Sequence, residues 1–149
     1  MAGGATQLEK ILQEAVEKSL RLDWEIWNDS GQVDRIRKNE RYILKLSLTN
    51  EKPYPLDQVE LRLYTVSSQY ARYFGKECRL FTDADYTQQA GELVFAFGRI
   101  PGGGKSETQV AYIEASDDVD PGGRTSALEY EIRAAFSPLP GSAIGKIQL

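Results

Sequence analysis

The amino-acid sequence predicts a mainly β protein, an antiparallel β-sandwich of about seven strands with one amphipathic helix at its N-terminus. Three observations support this fold class. Apolar residues recur at helical spacing only near the N-terminus. From residue 21 onward, apolar and polar residues alternate with the period of a strand. Gly, Pro, Asn and Asp separate the alternating runs, which is typical of a sandwich with Greek-key connections.

The 149 residues suffice for one domain with its own hydrophobic core, and no change in composition marks a second domain. Alternation predicts strands near 22–26, 41–49, 58–66, 76–82, 93–97, 106–115 and 126–136. Cys78 is expected at a buried strand position. The predicted organisation is a flexible N-terminus (1–5), an amphipathic helix (6–20), the β-sandwich (21–137) and a C-terminal tail (138–149).

The predicted helix begins with a capping box, in which Thr6 caps the first turn and Glu9 reaches back to the cap. Its apolar stripe is too large to remain in water, so we expect it to dock on its own sandwich or on the same helix of a second chain. We favour self-association, because a closed sandwich already covers its inner faces. The candidate interface residues on the stripe are Leu8, Ile11, Leu12 and Val16.

The stretch PGGGKSET, residues 101–108, is similar to a phosphate-binding loop. That loop reads G-x-x-x-x-G-K-[ST] and would need its first Gly at position 99, which is Arg99. The loop must also open a helix, whereas the residues that follow alternate as in a strand. We therefore predict that Pro101–Lys105 is a hairpin connection and that neither ATP nor GTP binds.

Charge and the rarity of two residue types exclude several functions. The net charge of −4 and the pI near 5.0 argue against nucleic-acid binding. The chain has no His and one Cys, so it lacks a Ser-His-Asp triad, a Cys-His dyad and the usual zinc ligands. We therefore expect no enzymatic activity and no cofactor.

The sequence also bears on location. No apolar run is long enough to span a membrane, and the N-terminus lacks the pattern of a signal peptide. As given, the chain is expected in the cytoplasm, and outside the cell if a leader has been removed.

Three stretches, RKNERYILKLSLTN, PLDQVELRLYT and FGRIPGGGKSETQVAYIEA, resemble in their order the strands of immunoglobulin-like adhesion domains of the CARDB type. The resemblance covers residues 32–136 and concerns core positions and turns. It implies an immunoglobulin-like sandwich that acts as a non-catalytic binding or spacer module. It implies no particular site residue, and the N-terminal helix departs from the family.

Acidic residues cluster in two predicted loops. Asp117, Asp118 and Asp120 lie in SDDVDPGG, and Asp83 and Asp85 lie in TDADY. Carboxylates at loop tips are suitable ligands for Ca²⁺, and the spacing of Asp118 and Asp120 resembles part of a calcium loop that lacks its terminal Glu. We favour solvated acidic turns over a calcium site at these positions.

Aromatic residues form the other candidate site. Trp24 and Trp27 point to opposite faces of the first strand, so Trp27 points outward if Trp24 points inward. Tyr64, Tyr70 and Tyr73 follow in YTVSSQYARYFG. Packing in the core and at edges is the favoured role of these rings. An exposed coplanar row would favour carbohydrate, whereas an exposed mixed apolar patch would favour a protein partner.

These observations predict a non-catalytic protein-interaction or assembly module. The expected partner is a protein, including a second copy of this chain bound through the helix. The alternative is a small-ligand module that binds carbohydrate or calcium with its aromatic face or acidic loops.

Overall fold

The structure is a computed structural model of the chain, and it describes residues 2–64, 78–115, 127–136 and 139–149. It is mainly β, with one helix at the N-terminus and two antiparallel sheets. The elements in chain order are α1 (Ala2–Ser19), β1 (Leu20–Asn28), β2 (Gly31–Val33), β3 (Arg41–Asn50), β4 (Leu56–Tyr64), β5 (Cys78–Phe81), β6 (Gln89–Ala90), β7 (Glu92–Ile100), β8 (Gln109–Ala115), β9 (Ala127–Phe136) and β10 (Leu139–Gln148).

The described residues therefore form ten strands, more than the seven or so expected from the sequence. Six strands form one sheet in the order β2-β1-β3-β8-β5-β6, and four form the other in the order β10-β9-β4-β7. The additional strands are β2 and β6, which are too short for an alternating pattern, and β10.

The inward faces of both sheets contribute to one buried cluster. Leu44, Leu46 and Ile113 enter it from the six-stranded sheet, and Leu61 and Leu63 enter it from the four-stranded sheet. Each fully buried side chain of this kind stabilises the fold by about 1.5 to 3 kcal/mol. Cys78 is buried in the same cluster, as its alternating strand predicted.

The helix begins at Ala2, so the predicted start at residue 6 is wrong and Thr6 lies within the helix rather than at its N-cap. The helix packs against its own chain, mainly on β10 and also on β1 and β9. Val16 is fully buried in the common core, which removes it from any interface with a second chain. Leu8 and Ile11 remain 43% and 62% exposed. No helix in the described part of the chain is long and apolar enough to cross a membrane.

The predicted C-terminal tail is instead strand β10, which pairs with β9 along its whole length. Its inward positions carry small residues, Gly141, Ala143 and Gly145. The Tyr130 ring lies across Gly145, where any Cβ would collide with it. Small residues on this edge strand leave room for the Tyr130 ring and for α1. Because these residues are small, the strand lacks the alternation of large apolar and polar residues by which strands are predicted.

The Pro101–Lys105 segment joins two strands, as expected, but it is not a hairpin. Strand β7 belongs to the four-stranded sheet and β8 to the six-stranded sheet, so the segment crosses between the sheets. After the crossing, Lys105 bridges to Thr49, and the Ser106 amide donates to the Leu48 carbonyl at 2.8 Å. The chain is thereby attached to β3 before β8 begins.

Candidate functional site

A row of apolar side chains crosses the outer face of the six-stranded sheet. The register places Trp27 of β1 opposite Ile43 of β3, Ile43 opposite Tyr112 of β8, and Tyr112 opposite Phe81 of β5. Opposite residues of antiparallel strands point to the same face, so these four side chains form one continuous line. We call Trp27, Ile43, Tyr112 and Phe81 the aromatic row.

The loop between β5 and β6 folds back over one end of the aromatic row. Its Tyr86 ring makes edge contacts with Phe81 and Tyr112, at centroid distances of 5.6 and 5.8 Å. The Tyr86 hydroxyl donates to the Tyr42 carbonyl at 2.8 Å, which ties the loop to β3. Phe81 is buried as a result, while Trp27 and Tyr112 stay partly exposed.

The carboxylate of Asp83 fixes the conformation of this loop. It accepts hydrogen bonds from the backbone amides of Thr87, at 3.0 Å, and Gln88, at 2.8 Å. The Thr87 hydroxyl also donates to this carboxylate. The hydroxyl bond has the largest effect, and together these hydrogen bonds lower the pKa of Asp83 below its ordinary value. Tyr86 has a φ of 57°, a left-handed conformation that is costly for an aromatic residue and persists only where its surroundings enforce it.

A pocket of about 380 Å³ lies between the exposed part of the aromatic row and this loop. Trp27, Tyr86 and Tyr112 line it together with Ile43. Arg41 also lines the pocket, and its guanidinium stands 4.8 Å from the centre of the Tyr86 ring. The remaining side chains that line it come mostly from two loops and include Asn28, Asp29, Ala84 and Asp85.

A polar groove of about 650 Å³ adjoins the pocket on the same face. Lys45 lines the groove, and its ammonium stands 4.1 Å from the centre of the Trp27 indole, which lines the pocket. Side chains that line the groove include Arg21, Asp23, Glu25, Lys45, Ser47, Thr49 and Lys105. The groove is therefore lined by both acidic and basic side chains.

Two charged side chains of the groove, Arg21 and Asp23, are paired with each other. Asp23 accepts from the Thr49 hydroxyl at 2.6 Å and from the Arg21 guanidinium at 3.0 Å. Burial raises the pKa of Asp23, but these hydrogen bonds outweigh it and hold the pKa below its ordinary value. A carboxylate held in this way stays ionised and suits polar recognition better than proton transfer.

The structure separates the aromatic residues that the sequence singled out. Trp24 shares the inward face with Leu46, and Trp27 points outward. Tyr64 lies on the outer face of the other sheet, opposite Glu92 and Glu129. Tyr70 and Tyr73 lie outside the described residues.

The sequence also singled out acidic residues as candidate calcium ligands. Asp117, Asp118 and Asp120 also lie outside the residues that the structure describes. Asp83 is occupied by its own loop, and within the described ranges no group of three or more acidic, His or Cys side chains is arranged to hold a metal ion.

Sequence reasoning missed Ile43, Tyr86 and Tyr112 as members of the site. Alternation places Ile43 and Tyr112 on the outer faces of their strands, but only the pairing of β3 with β8 brings them together. The run Asp83 to Gln88 carries a usable signal, because an Asp ahead of Thr in a turn often accepts from nearby backbone amides.

Backbone amides of the 101–108 segment donate to carbonyls of the chain itself. The Gly103 amide donates to the Lys52 carbonyl at 2.8 Å, and the Gly104 amide donates to the Pro101 carbonyl at 2.9 Å. A phosphate-binding loop needs such amides free and pointing at the ligand. Strand β8 then follows in place of a helix, so the expectation that nucleotides do not bind here rests on two independent features.

No family model matches the chain, and no curated protein matches it. Solved structures show distant similarity. The structural-genomics target SoR45 is 13% identical, with a TM-score of 0.40, over 90% of this chain and 88% of that one. The sporulation control protein Spo0M of Bacillus subtilis is 10% identical, with a TM-score of 0.36, over 87% of this chain and 49% of that one. The reeler domain of human F-spondin is 8% identical, with a TM-score of 0.38, over 84% and 87%.

We predict that Asp83→Ala lowers the melting temperature at neutral pH, because the amides of Thr87 and Gln88 lose their acceptor. Asp85→Ala is the control, since the Asp85 carboxylate makes no hydrogen bond to the described residues. The folded-state pKa of Asp83 is lowered, so its stabilising effect exists above the unfolded pKa and disappears as pH falls through the folded pKa. Thermal melts of both variants across acid pH test this, and equal melting of wild type and Asp83→Ala at neutral pH would contradict it.

Proposed function

We propose that this chain is a non-catalytic protein-interaction module that binds its partner on the outer face of the six-stranded sheet. The observation that carries the proposal is the aromatic row, which leaves Trp27 and Tyr112 partly exposed between rows of charged side chains. Aromatic residues surrounded by polar groups are the usual composition of the centre of a protein interface.

The neighbouring charges favour an ordered surface. Arg41 donates to Glu114 at 2.9 Å, and Arg79 donates to the same carboxylate at 3.0 Å. On the other side of the row, the Trp27 indole donates to Glu25 at 2.9 Å. These contacts hold the exposed side chains in one arrangement, which reduces the entropy that a partner must overcome on binding.

The geometry of the rings favours a protein over a carbohydrate. Tyr86 and Tyr112 meet at 79°, and Phe81 and Tyr86 meet at 66°, so these rings do not form the coplanar platform on which sugar rings stack. The aliphatic side chains Ile43 and Val110 lie on the same face. A mixed patch of this kind is better suited to side chains of another protein.

The finer features of the fold belong to the same proposal. Two antiparallel sheets around one core agree with an immunoglobulin-like sandwich, to which α1 and β10 would be additions. Such a sandwich, like the CARDB-type domains that the sequence resembles, would act as a binding or spacer module without catalysis.

A double substitution tests the proposed surface. We predict that Trp27→Ala with Tyr112→Ala weakens partner binding at least tenfold, which corresponds to about 1.4 kcal/mol. Tyr64→Ala removes a partly exposed ring from the outer face of the other sheet and is the matched control. Each variant and the wild-type chain are used to capture proteins from an extract of the cells that make this chain. The captured proteins are identified, and their binding to each variant is compared. A partner bound equally by both variants would contradict the proposal, and binding to a glycan array in place of a protein would favour the small-ligand alternative.

Self-association through α1 is a second candidate, favoured by the exposure of Leu8 and Ile11. These residues continue the stripe whose other end, at Val16, packs on the sheet of the same chain. The free end of the stripe is therefore available to a second copy without unfolding the first.

We predict that Leu8→Asp with Ile11→Asp converts an oligomer into a monomer and leaves the melting temperature nearly unchanged. Val16→Ala, by contrast, should lower the free energy of unfolding by about 2 kcal/mol without changing the mass, because it removes buried methyl groups. Light scattering and thermal melts measure both effects. A wild-type chain that is already monomeric at high concentration would eliminate this second candidate.

A further inference from the structure

We propose that the pocket between Trp27 and Tyr86 binds a basic side chain, Lys or Arg, of the partner protein. This inference rests on the proposed function and specifies the chemistry that the partner presents. The pocket has aromatic side chains on two sides, Ile43 among its apolar lining, and acidic side chains among its lining residues. Its volume of about 380 Å³ is large enough for one long side chain.

The rings of this face already attract cations. Arg41 stands over Tyr86, and Lys45 stands over Trp27, at 4.8 and 4.1 Å from the ring centres. A cation above an aromatic face is stabilised by the negative charge of the ring face. A basic side chain that enters the pocket meets Trp27, Tyr86 and Tyr112 together.

The charges around the pocket favour a positive ligand over a negative one. Asp29 and Asp85 line the pocket, and neither carboxylate forms an ion pair or a hydrogen bond with the described residues. Arg41 is the one cationic side chain that lines the pocket, and it is paired with Glu114 at 2.9 Å. An entering ammonium or guanidinium therefore finds two carboxylates that have no partner among the described residues, while an entering carboxylate would be repelled by both.

The walls of the pocket are also held in place before a ligand binds. Asp83 and the Tyr86 hydroxyl hold one wall against β3, and the paired strands β1 and β3 fix the Trp27 wall. A preformed wall lowers the entropic cost of binding. The net charge of −4 of the whole chain attracts a basic partner over a longer distance.

The test follows the indole N–H signal of Trp27 by NMR during titration with blocked tripeptides. The chain has two Trp residues, so Trp24→Phe assigns the two indole signals. The probes are Gly-Arg-Gly and Gly-Lys-Gly, with Gly-norleucine-Gly as the uncharged control of similar length and Gly-Glu-Gly as the acidic control. We expect the Arg and Lys peptides to shift the Trp27 signal, the two controls to leave it in place, and the Trp24 signal to change little.

Charge variants complete the test. Asp29→Asn with Asp85→Asn should weaken binding of the Arg peptide severalfold and reduce its dependence on salt, because two screened charge interactions are lost. Glu107→Gln, at an exposed position after the 101–104 turn, is the control with altered charge outside the pocket. Equal shifts with the norleucine peptide, stronger shifts with the Glu peptide, or no shift with either basic peptide would each overturn the inference.

The same variants separate this inference from the proposed function. Suppose that a captured partner needs Trp27 and Tyr112 for binding but binds the Asp29→Asn, Asp85→Asn variant as tightly as wild type. That result would overturn the inference that the pocket binds a basic side chain, and it would leave the proposed protein-binding face intact. A partner that the double Trp27 and Tyr112 variant still binds would overturn the face itself.

Discussion

The buried side chain of Asn50 connects the two sheets on which the rest of the structure depends. It lies at the end of β3, and its amide donates to the carbonyls of Tyr54, at 2.8 Å, and Ile100, at 3.2 Å, the latter at the end of β7. Its carbonyl accepts from the Lys52 amide at 2.9 Å. The next amide, of Glu51, donates to Ser19 at the end of the helix. Asn50 is fully buried, so its side-chain amide would cost about 1 to 3 kcal/mol if left unpaired. Its bonds therefore help to fix how the two sheets meet, and the Glu51 bond ties the helix to the same place.

The position of β3 explains why the exposed rings and the polar groove of the proposed binding face lie on one sheet. Strand β3 lies between β1 and β8, and its outward residues Ile43 and Lys45 are the centre from which the aromatic row and the polar groove extend. The row draws on four strands that are distant in sequence, so it forms only when the sheet forms. Its rings are therefore placed by backbone pairing rather than by flexible loops. The Tyr86 ring that packs on the row comes from a loop, and Asp83 fixes that loop.

The sequence allowed the inward and outward sides of most strands to be predicted, because burial follows alternation, as at Cys78 and Leu80; Trp24 shares the inward face of β1 but is 37% exposed. It did not provide strand order, so Trp27 and Tyr64 were grouped although they lie on different sheets. Strand β10 was missed because its inward positions carry small residues, so apolar and polar residues do not alternate clearly along it. Small residues are needed there because Tyr130 and α1 pack against this strand. Tyr86 was missed because its φ of 57° is imposed by tertiary contacts and not by local preference.

We propose that the partner binds the outer face of the six-stranded sheet. The outer faces of the two sheets each carry an exposed valine, Val110 on the six-stranded sheet and Val94 on the four-stranded sheet, 38% and 50% exposed. Replacing each in turn with the photocrosslinking residue p-benzoylphenylalanine gives two chains with the same chemistry on opposite surfaces. We expect a crosslinked partner from position 110 and none from position 94. A crosslink from position 94 alone would place the partner on the other sheet and contradict the proposed binding surface.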